Sequence, residues 1–250
     1  HIVFFEAEGT APDERPHTRY LSEGANVMLL DAVPASGTPQ TLQVYMAILE
    51  PDYLIDVTAL TNCLKPYGHS PLNFLIDAFR PAQPNPHILL GNMANQFMDD
   101  CINDGSQATF EASALRSFRD NVLLYASLPD EAVPASFFDE ARRQFHHINR
   151  SVAERFPADD VGIVPGQAIL EPSFICPTLG LRGRLDVMTA DRRRVLELKS
   201  GKADTWRLEH PQPKAAHLMQ MSLYGEMLRR NFNLDWNDLQ TYLFYSAYPL

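Results

Sequence analysis

Between Gly180 and Ser200 the sequence reads GLRGRLDVMTADRRRVLELKS, two strand-like runs around an Ala-Asp-Arg turn. That pattern predicts a β-hairpin. Successive side chains on a strand point to opposite faces. Glu197 and Lys199 therefore share one face, while Leu196 and Leu198 turn the other toward a core. Asp186 falls on the partner strand, and neighbouring strands run about 4.8 Å apart. Its carboxylate is expected close to that of Glu197. Ser200 and Gly201 at the strand end permit close backbone approach. After a proline-marked loop, HPQPKAAHLMQMSLYGEMLRRNF predicts a helix beginning near Pro213. His217, Gln220 and Tyr224, spaced three and four apart, form one polar stripe on it. Met219, Leu223 and Met227 form another face, expected to pack on the sheet. Arg229 and Arg230 suit the C-terminal end of the helix dipole.

The remaining elements set the fold class. NVMLL and LQVYMAIL, like HIVFF before them, are short apolar runs that make residues 1–50 a β-rich N-terminal segment. Asp56 or Thr58 is expected to cap a short helix, and Ser70 followed by Pro71 to start another. HILLGNMANQFMDDCIND predicts a longer helix with Leu89, Met93, Phe97 and Cys101 four apart. Further on, Leu115, Phe118, Val122 and Tyr125 describe one apolar helix side, and Ser136 is placed to cap a second helix. His146 and His147 are adjacent, hence about 100° apart on a helix, so they cannot clamp one metal. A surface or packing role is expected. Three strands are predicted over residues 162–200 and a closing strand at LQTYLFYSAY. Residues 51–250 are thus expected to form one α/β domain with a mixed central sheet flanked by helices. Its helical part would span 51–160 and its α/β core 161–250.

Net charge is −10, against a broad nucleic-acid-binding face. Even so, Arg182, Arg184, Arg192, Arg193, Arg194, Lys199 and Lys202 crowd around the acidic pair. For Arg192 to Arg194, a solvated hairpin tip is an equal alternative. Cys63, Cys101 and Cys176 are odd in number and far apart, which argues against a disulfide framework and for a reducing, cytoplasmic setting. No apolar run is long enough for a membrane span. The start lacks Met and the end follows a strand-like run, so the chain reads as part of something longer.

Asp186 and Glu197, with a backbone carbonyl and water, form an oxygen set suited to Mg²⁺ or Mn²⁺. Lys199 beside them points to phosphodiester hydrolysis. A hairpin with exposed cross-strand ion pairs is the plain alternative for the same spacing.

Gly183 to Asp186 (GRLD), Glu197 to Gly201 (ELKSG) and Gln220-x3-Tyr224 resemble the motifs of the RecB-type branch of the PD-(D/E)XK nucleases. Within that branch they are most similar to the nuclease domain of the eukaryotic-type flap-processing helicase–nucleases. There a GLKGKID-like strand precedes an LELKTGK-like strand and an H-x2-Q-x3-Y helix. The resemblance is dense from Glu171 to Leu228, weaker upstream to Tyr53, and does not reach residues 1–50. It implies a restriction-endonuclease-like core. Asp186, Glu197 and the Leu198 carbonyl would be metal ligands, and Lys199 the catalytic lysine. Gln220 and Tyr224 would contact the substrate phosphate or steady the site. Arg182, Arg184, Lys202 and His217 would join them in binding DNA. Glu171 stands where relatives often carry an acid near the site; a surface role is the alternative.

Two departures follow. The family's helical motif usually reads G-N-x-x-H, with histidine on the metal. LLGNMANQF puts Asn95 there, a neutral oxygen ligand. Many relatives hold an iron–sulfur cluster on one cysteine before this motif and three after the closing strand. Cys63 sits at the first place and the sequence ends before the others, so no cluster is expected here. The implied activity is a Mg²⁺- or Mn²⁺-dependent nuclease acting on single-stranded or flapped DNA. A helicase domain beyond Leu250 would be its partner on the same chain. The competing expectation, raised by Asn95, is a catalytically weakened module that binds DNA ends or a partner protein.

Overall fold

The computed structural model describes residues 26–34, 42–44, 46–49, 54–65, 68–81, 83, 85–129, 132–204 and 212–248. The strand expected at residues 1–5 and most of VPASGTPQ lie outside them. The chain divides into two compact units, residues 1–55 with 176–181, and residues 56–175 with 182–250. In the first, β1 (Val27–Leu30), β2 (Val33–Pro34), β3 (Leu42–Gln43) and β4 (Met46–Leu49) form two antiparallel pairs, β1 with β4 and β2 with β3. A short strand β5 (Ile55–Asp56) closes it, the Ile55 N–H donating to the Gly180 carbonyl at 2.9 Å.

The second unit starts with helix α1 (Val57–Thr61), capped by Asp56, whose carboxylate accepts from the Thr58 and Ala59 N–H groups. A small hairpin of β6 (Leu64–Lys65) and β7 (Gly68–His69) leads to α2 (Pro71–Phe79), capped by Ser70. Helix α3 (Pro86–Asp104) carries the expected stripe: Leu89, Met93, Phe97 and Cys101 are all buried. The next apolar face departs from expectation. The chain turns at Asn121, giving α4 (Phe110–Asp120) and α5 (Val122–Ser127), and leaves Leu115, Phe118 and Val122 exposed at 50%, 45% and 48%. The inward face of α4 is instead Phe110, Ser113 and Ser117, whose small serines let the helix lie close on α3. Asn121 makes the turn by donating to the Ser117 carbonyl and accepting from Asn92.

Helix α6 (Phe137–Arg150) follows, with Ser136 at the cap position but without a capping side-chain bond. His147 bonds the Ser246 carbonyl and His146 packs edge-on against Phe145, so the histidine pair serves packing. A π turn at Ser151–Arg155 ends the helical layer.

Five strands stand where three were expected: β8 (Ala168–Leu170), β9 (Ser173–Cys176), β10 (Leu181–Arg184), β11 (Val187–Thr189) and β12 (Arg194–Lys199). Both long runs are broken, at Glu171-Pro172 and at Leu185-Asp186. Glu171 has φ 49°, and Pro172 has no N–H to give to a ladder. The two breaks bond to each other: Glu171 N–H to the Asp186 carbonyl at 2.9 Å, and Leu185 N–H to the Pro172 carbonyl at 3.1 Å. The β11–β12 hairpin is antiparallel, with Val187 opposite Leu196 and a left-handed Arg192 in its turn.

Helix α7 (Ala215–Phe232) connects β12 to β13 (Gln240–Tyr245), which runs parallel to it with Lys199 opposite Tyr245. The sheet order is β13-β12-β11-β8, parallel in one pair and antiparallel in the others. The protein is therefore α/β with a mixed sheet. Val187, Leu196 and Leu198 join α3 and α6 in the main core, where Phe97 and Phe145 meet edge-to-face at 5.3 Å. On α7 the buried side is Gln220, Met221, Tyr224, Gly225, Met227 and Leu228. Of the three residues expected to pack on the sheet, only Met227 is fully buried, and Met219 is exposed. The polar stripe itself faces inward, because Gln220 and Tyr224 have buried partners to satisfy. All three cysteines are free thiols. Among the described residues, no helix is long and apolar enough to cross a membrane.

Candidate active site

Strand alternation places the acids. Leu196 and Leu198 fill the core, so Glu197 and Lys199 emerge on the opposite face, Glu197 only 5% exposed. Asp186 arrives from the break between β10 and β11. One carboxylate oxygen accepts the Leu198 N–H at 2.6 Å, just past the last ladder pair, which pins it beside β12.

Helix α7 supplies the second layer. The Lys199 ammonium donates to Glu197 Oε1 and to Gln220 Oε1, each at 2.8 Å. The Gln220 amide donates to Glu197 Oε1 at 2.7 Å, to the Thr58 hydroxyl at 3.2 Å and to the Tyr224 hydroxyl at 3.3 Å. Tyr224 donates onward to the Arg184 carbonyl at 2.7 Å. With every polar atom of buried Gln220 engaged, its place is to steady Glu197 and Lys199. Tyr224 needs a bare backbone beside it. A Cβ on Gly183 would stand 2.5 Å from Tyr224 Cε1 and 3.3 Å from Val57 Cγ2. Gly183→Ala is therefore expected to lower the urea midpoint by an amount equivalent to about 1–3 kcal/mol, the usual cost of overpacking. An unchanged midpoint would show that Tyr224 can move without loss.

These groups border a cavity of about 320 Å³, lined also by Thr58 from α1 and Asn95 from α3. Arg184 lines it as well and pairs with Glu171 at 3.2 Å. The other expected binding residues stand elsewhere. Arg182 and Lys202 are exposed and do not line the cavity. His217 does not line it either; its Nδ1 bonds the Tyr245 hydroxyl at 2.7 Å, and burial lowers its pKa to about 4. In the hairpin turn, Arg192 lies over the Phe232 ring at 4.3 Å, Arg193 pairs with Asp238 at 4.0 Å and Arg194 donates to Gln240, so all three arginines have structural employment.

Sequence reasoning missed Asp99, one helical turn after Asn95 on α3. Burial raises its carboxyl to about 7, aided by the charges of Glu171 and Asp186. The only sequence signal was the four-residue step from Asn95, which puts both on one helix face. Thr58 was noticed as a cap candidate; its hydroxyl instead receives Gln220.

No family model matches the chain, and no curated protein matches it significantly. Among the described residues, no three carboxylate, imidazole or thiolate groups already stand as a metal cluster. What the site does hold is a buried carboxylate oxygen, Glu197 Oε2, without any hydrogen-bond partner. An orphaned buried charge is costly unless a cation answers it. Asp186, Glu197 and the Leu198 carbonyl are hard oxygen donors beside the cavity, and they fit Mg²⁺ or Mn²⁺.

Burial is also the first cause of the raised pKa of both acids, carrying Glu197 from 4.5 to about 7, with the Asp186 charge next. A carboxyl raised on folding binds more protons in the native state than in the unfolded one. Its contribution to stability is full below its unfolded pKa and falls away as pH rises through the folded value. Metal-free wild type should thus lose stability relative to Glu197→Gln between about pH 4.5 and 7. The depressed His217 acts with the opposite sign but is common to both proteins and cancels in the difference. Thermal melts in chelator would check this; parallel pH profiles would refute it.

Proposed function

We propose that this chain is a Mg²⁺- or Mn²⁺-dependent nuclease with a restriction-endonuclease-like core of the RecB type, cutting single-stranded or flapped DNA. The observation that carries the reading is Glu197 Oε2, orphaned at the edge of a polar cavity beside Asp186 and Lys199. The resemblance of GRLD, ELKSG and Gln220-x3-Tyr224 to that family agrees with it.

Asp186, Glu197 and the Leu198 carbonyl would hold the metal, with Asn95 as a neutral oxygen nearby. When bound, the ion acidifies water and draws charge from the scissile phosphate. The remaining steps belong to the chain. Lys199 has three N–H donors, two of them held by Glu197 and Gln220. The third is free to orient the attacking water or to meet a non-bridging phosphate oxygen as charge grows there. Because Glu197 and Gln220 fix the ammonium, little reorganisation is needed at the moment of attack. Arg184, at the cavity edge and 57% exposed, is the cation placed to meet the next phosphate. Phosphate contacts carry no sequence information directly, so little base preference is expected. A helicase domain beyond Leu250 and a cytoplasmic setting with DNA complete the proposal.

Asn95 favours a second reading, a nuclease-fold module with weakened catalysis that holds DNA ends or a partner protein. Purified chain with labelled single-stranded and flapped DNA, in Mn²⁺ and then Mg²⁺, separates the two. Metal-dependent cleavage supports the enzyme. Binding without cleavage in either metal supports the module.

A further inference from the structure

Gln144 on α6 is 1% exposed, between Ala141, Phe145 and Ile148 on a helix that is otherwise apolar where it is buried. Every polar atom of its amide is engaged. Nε2 donates to the Ser200 carbonyl at 2.9 Å and to Glu140 Oε1 at 3.0 Å, and Oε1 accepts the Ser246 hydroxyl at 2.7 Å. One turn on, His147 Nδ1 bonds the Ser246 carbonyl at 2.9 Å. Ser246, itself fully buried, donates its N–H to the Lys199 carbonyl at 3.0 Å. Helix α6 thus reaches two successive carbonyls of the chain leaving β12, one directly and one through Ser246.

These bonds fall where the sheet ends. The last β12–β13 pair is Lys199 opposite Tyr245, and Ser200 is followed by Gly201. The Lys199 ammonium stands between Glu197 and Gln220 at the cavity. It can be placed no better than the strand end that carries it. Packing alone does not call for an amide at position 144. Methionine, also unbranched, would fill similar space without burying a polar group. What the amide adds is a hold on the Ser200 carbonyl and on Ser246. Gln144 does not line the cavity, so its influence on the chemistry runs through this backbone.

We propose that Gln144 is a positioning residue for Lys199: by holding the Ser200 carbonyl directly and the Lys199 carbonyl through Ser246, it fixes the end of β12 and keeps the ammonium aligned with the scissile phosphate. This rests on Lys199 acting in phosphodiester cleavage. A misplacement of about 1 Å, caused far from the chemistry, can cost about 10²-fold in rate, and loss of the amide should cost about 10–100-fold.

The test compares wild type, Gln144→Met, Lys199→Met and the double variant on single-stranded and flapped DNA at saturating Mn²⁺. Gln144→Met should lower kcat about 10–100-fold and leave KM close to wild type. In the Lys199→Met background the same substitution should cost almost nothing further, because residues that act as a unit are not additive. A purely structural role would lower stability in both backgrounds and show no such dependence on Lys199. Amide exchange gives a readout independent of cleavage. The Ser246 N–H, bonded to the Lys199 carbonyl, should exchange faster in Gln144→Met, while amides in the middle of β12 keep their wild-type rates. Ser246→Ala guards against a failure of Gln144→Met to fold. It keeps the backbone bond to Lys199, removes the hydroxyl that Gln144 accepts, and should show a smaller loss of kcat with the same dependence on Lys199. Wild-type kcat in both variants, or an equal loss with and without Lys199, overturns the proposal and leaves the nuclease reading intact. Wild-type kcat in Lys199→Met, or an inert wild type, removes the nuclease reading and the proposal with it.

Discussion

Asp186→Ala is expected to reduce metal-dependent cleavage of single-stranded or flapped DNA to background. A metal supplies several kcal/mol of charge stabilisation to the transition state. At 1.36 kcal/mol per decade, its loss lowers the rate by about 10³-fold or more. The substitution also frees the Leu198 N–H that Asp186 receives. Asp186→Asn separates the two effects, because an amide oxygen can still accept that bond while its charge is gone. It should be as inactive as alanine yet melt close to wild type. Gel assays over single-stranded, flapped and duplex substrates, paired with thermal melts, provide the comparison. Residual cleavage above one-tenth of wild type in either variant would place the activity elsewhere.

Lys199→Met should lower the turnover number about 10²–10⁴-fold, the span associated with a positioned proton-transfer group or a lost electrostatic contact. Mn²⁺ should still bind, because the proposed ligands remain and a neighbouring positive charge has been removed. Lys199→Arg should not rescue, since a planar guanidinium cannot occupy the point position between Glu197 and Gln220. Loss of metal binding in step with activity would mean that Lys199 builds the site rather than acting in it.

The sheet face was legible because alternation in RRVLELKS has one solution: with Leu196 and Leu198 in the core, Glu197 and Lys199 must share the other side. The helix starts at Asp56 and Ser70 were legible because their side chains accept backbone N–H groups, whereas the cap at Asn85 was not read. Strand pairing predicts Asp186 beside Glu197 for an incomplete reason. The sequence implies a continuous strand, yet Asp186 sits at a break that depends on a left-handed Glu171 and on Pro172, residues fifteen and fourteen positions upstream. No local window contains both halves of that contact. Apolar spacing misled at Leu115 and Phe118, because two buried serines on α4 allowed closer approach to α3. Asp99 was hidden for the opposite reason. An acid on a helix reads as a solvated position until the strand with Asp186 is folded near it.

Whether Asp186 and Glu197 hold a divalent cation is visible in a crystal of the wild-type chain soaked in Mn²⁺, with anomalous data. One strong peak is expected between the Asp186 carboxylate and Glu197 Oε2, within ligand distance of the Leu198 carbonyl. A map with no anomalous density in that cavity, from crystals soaked at saturating Mn²⁺, would contradict it.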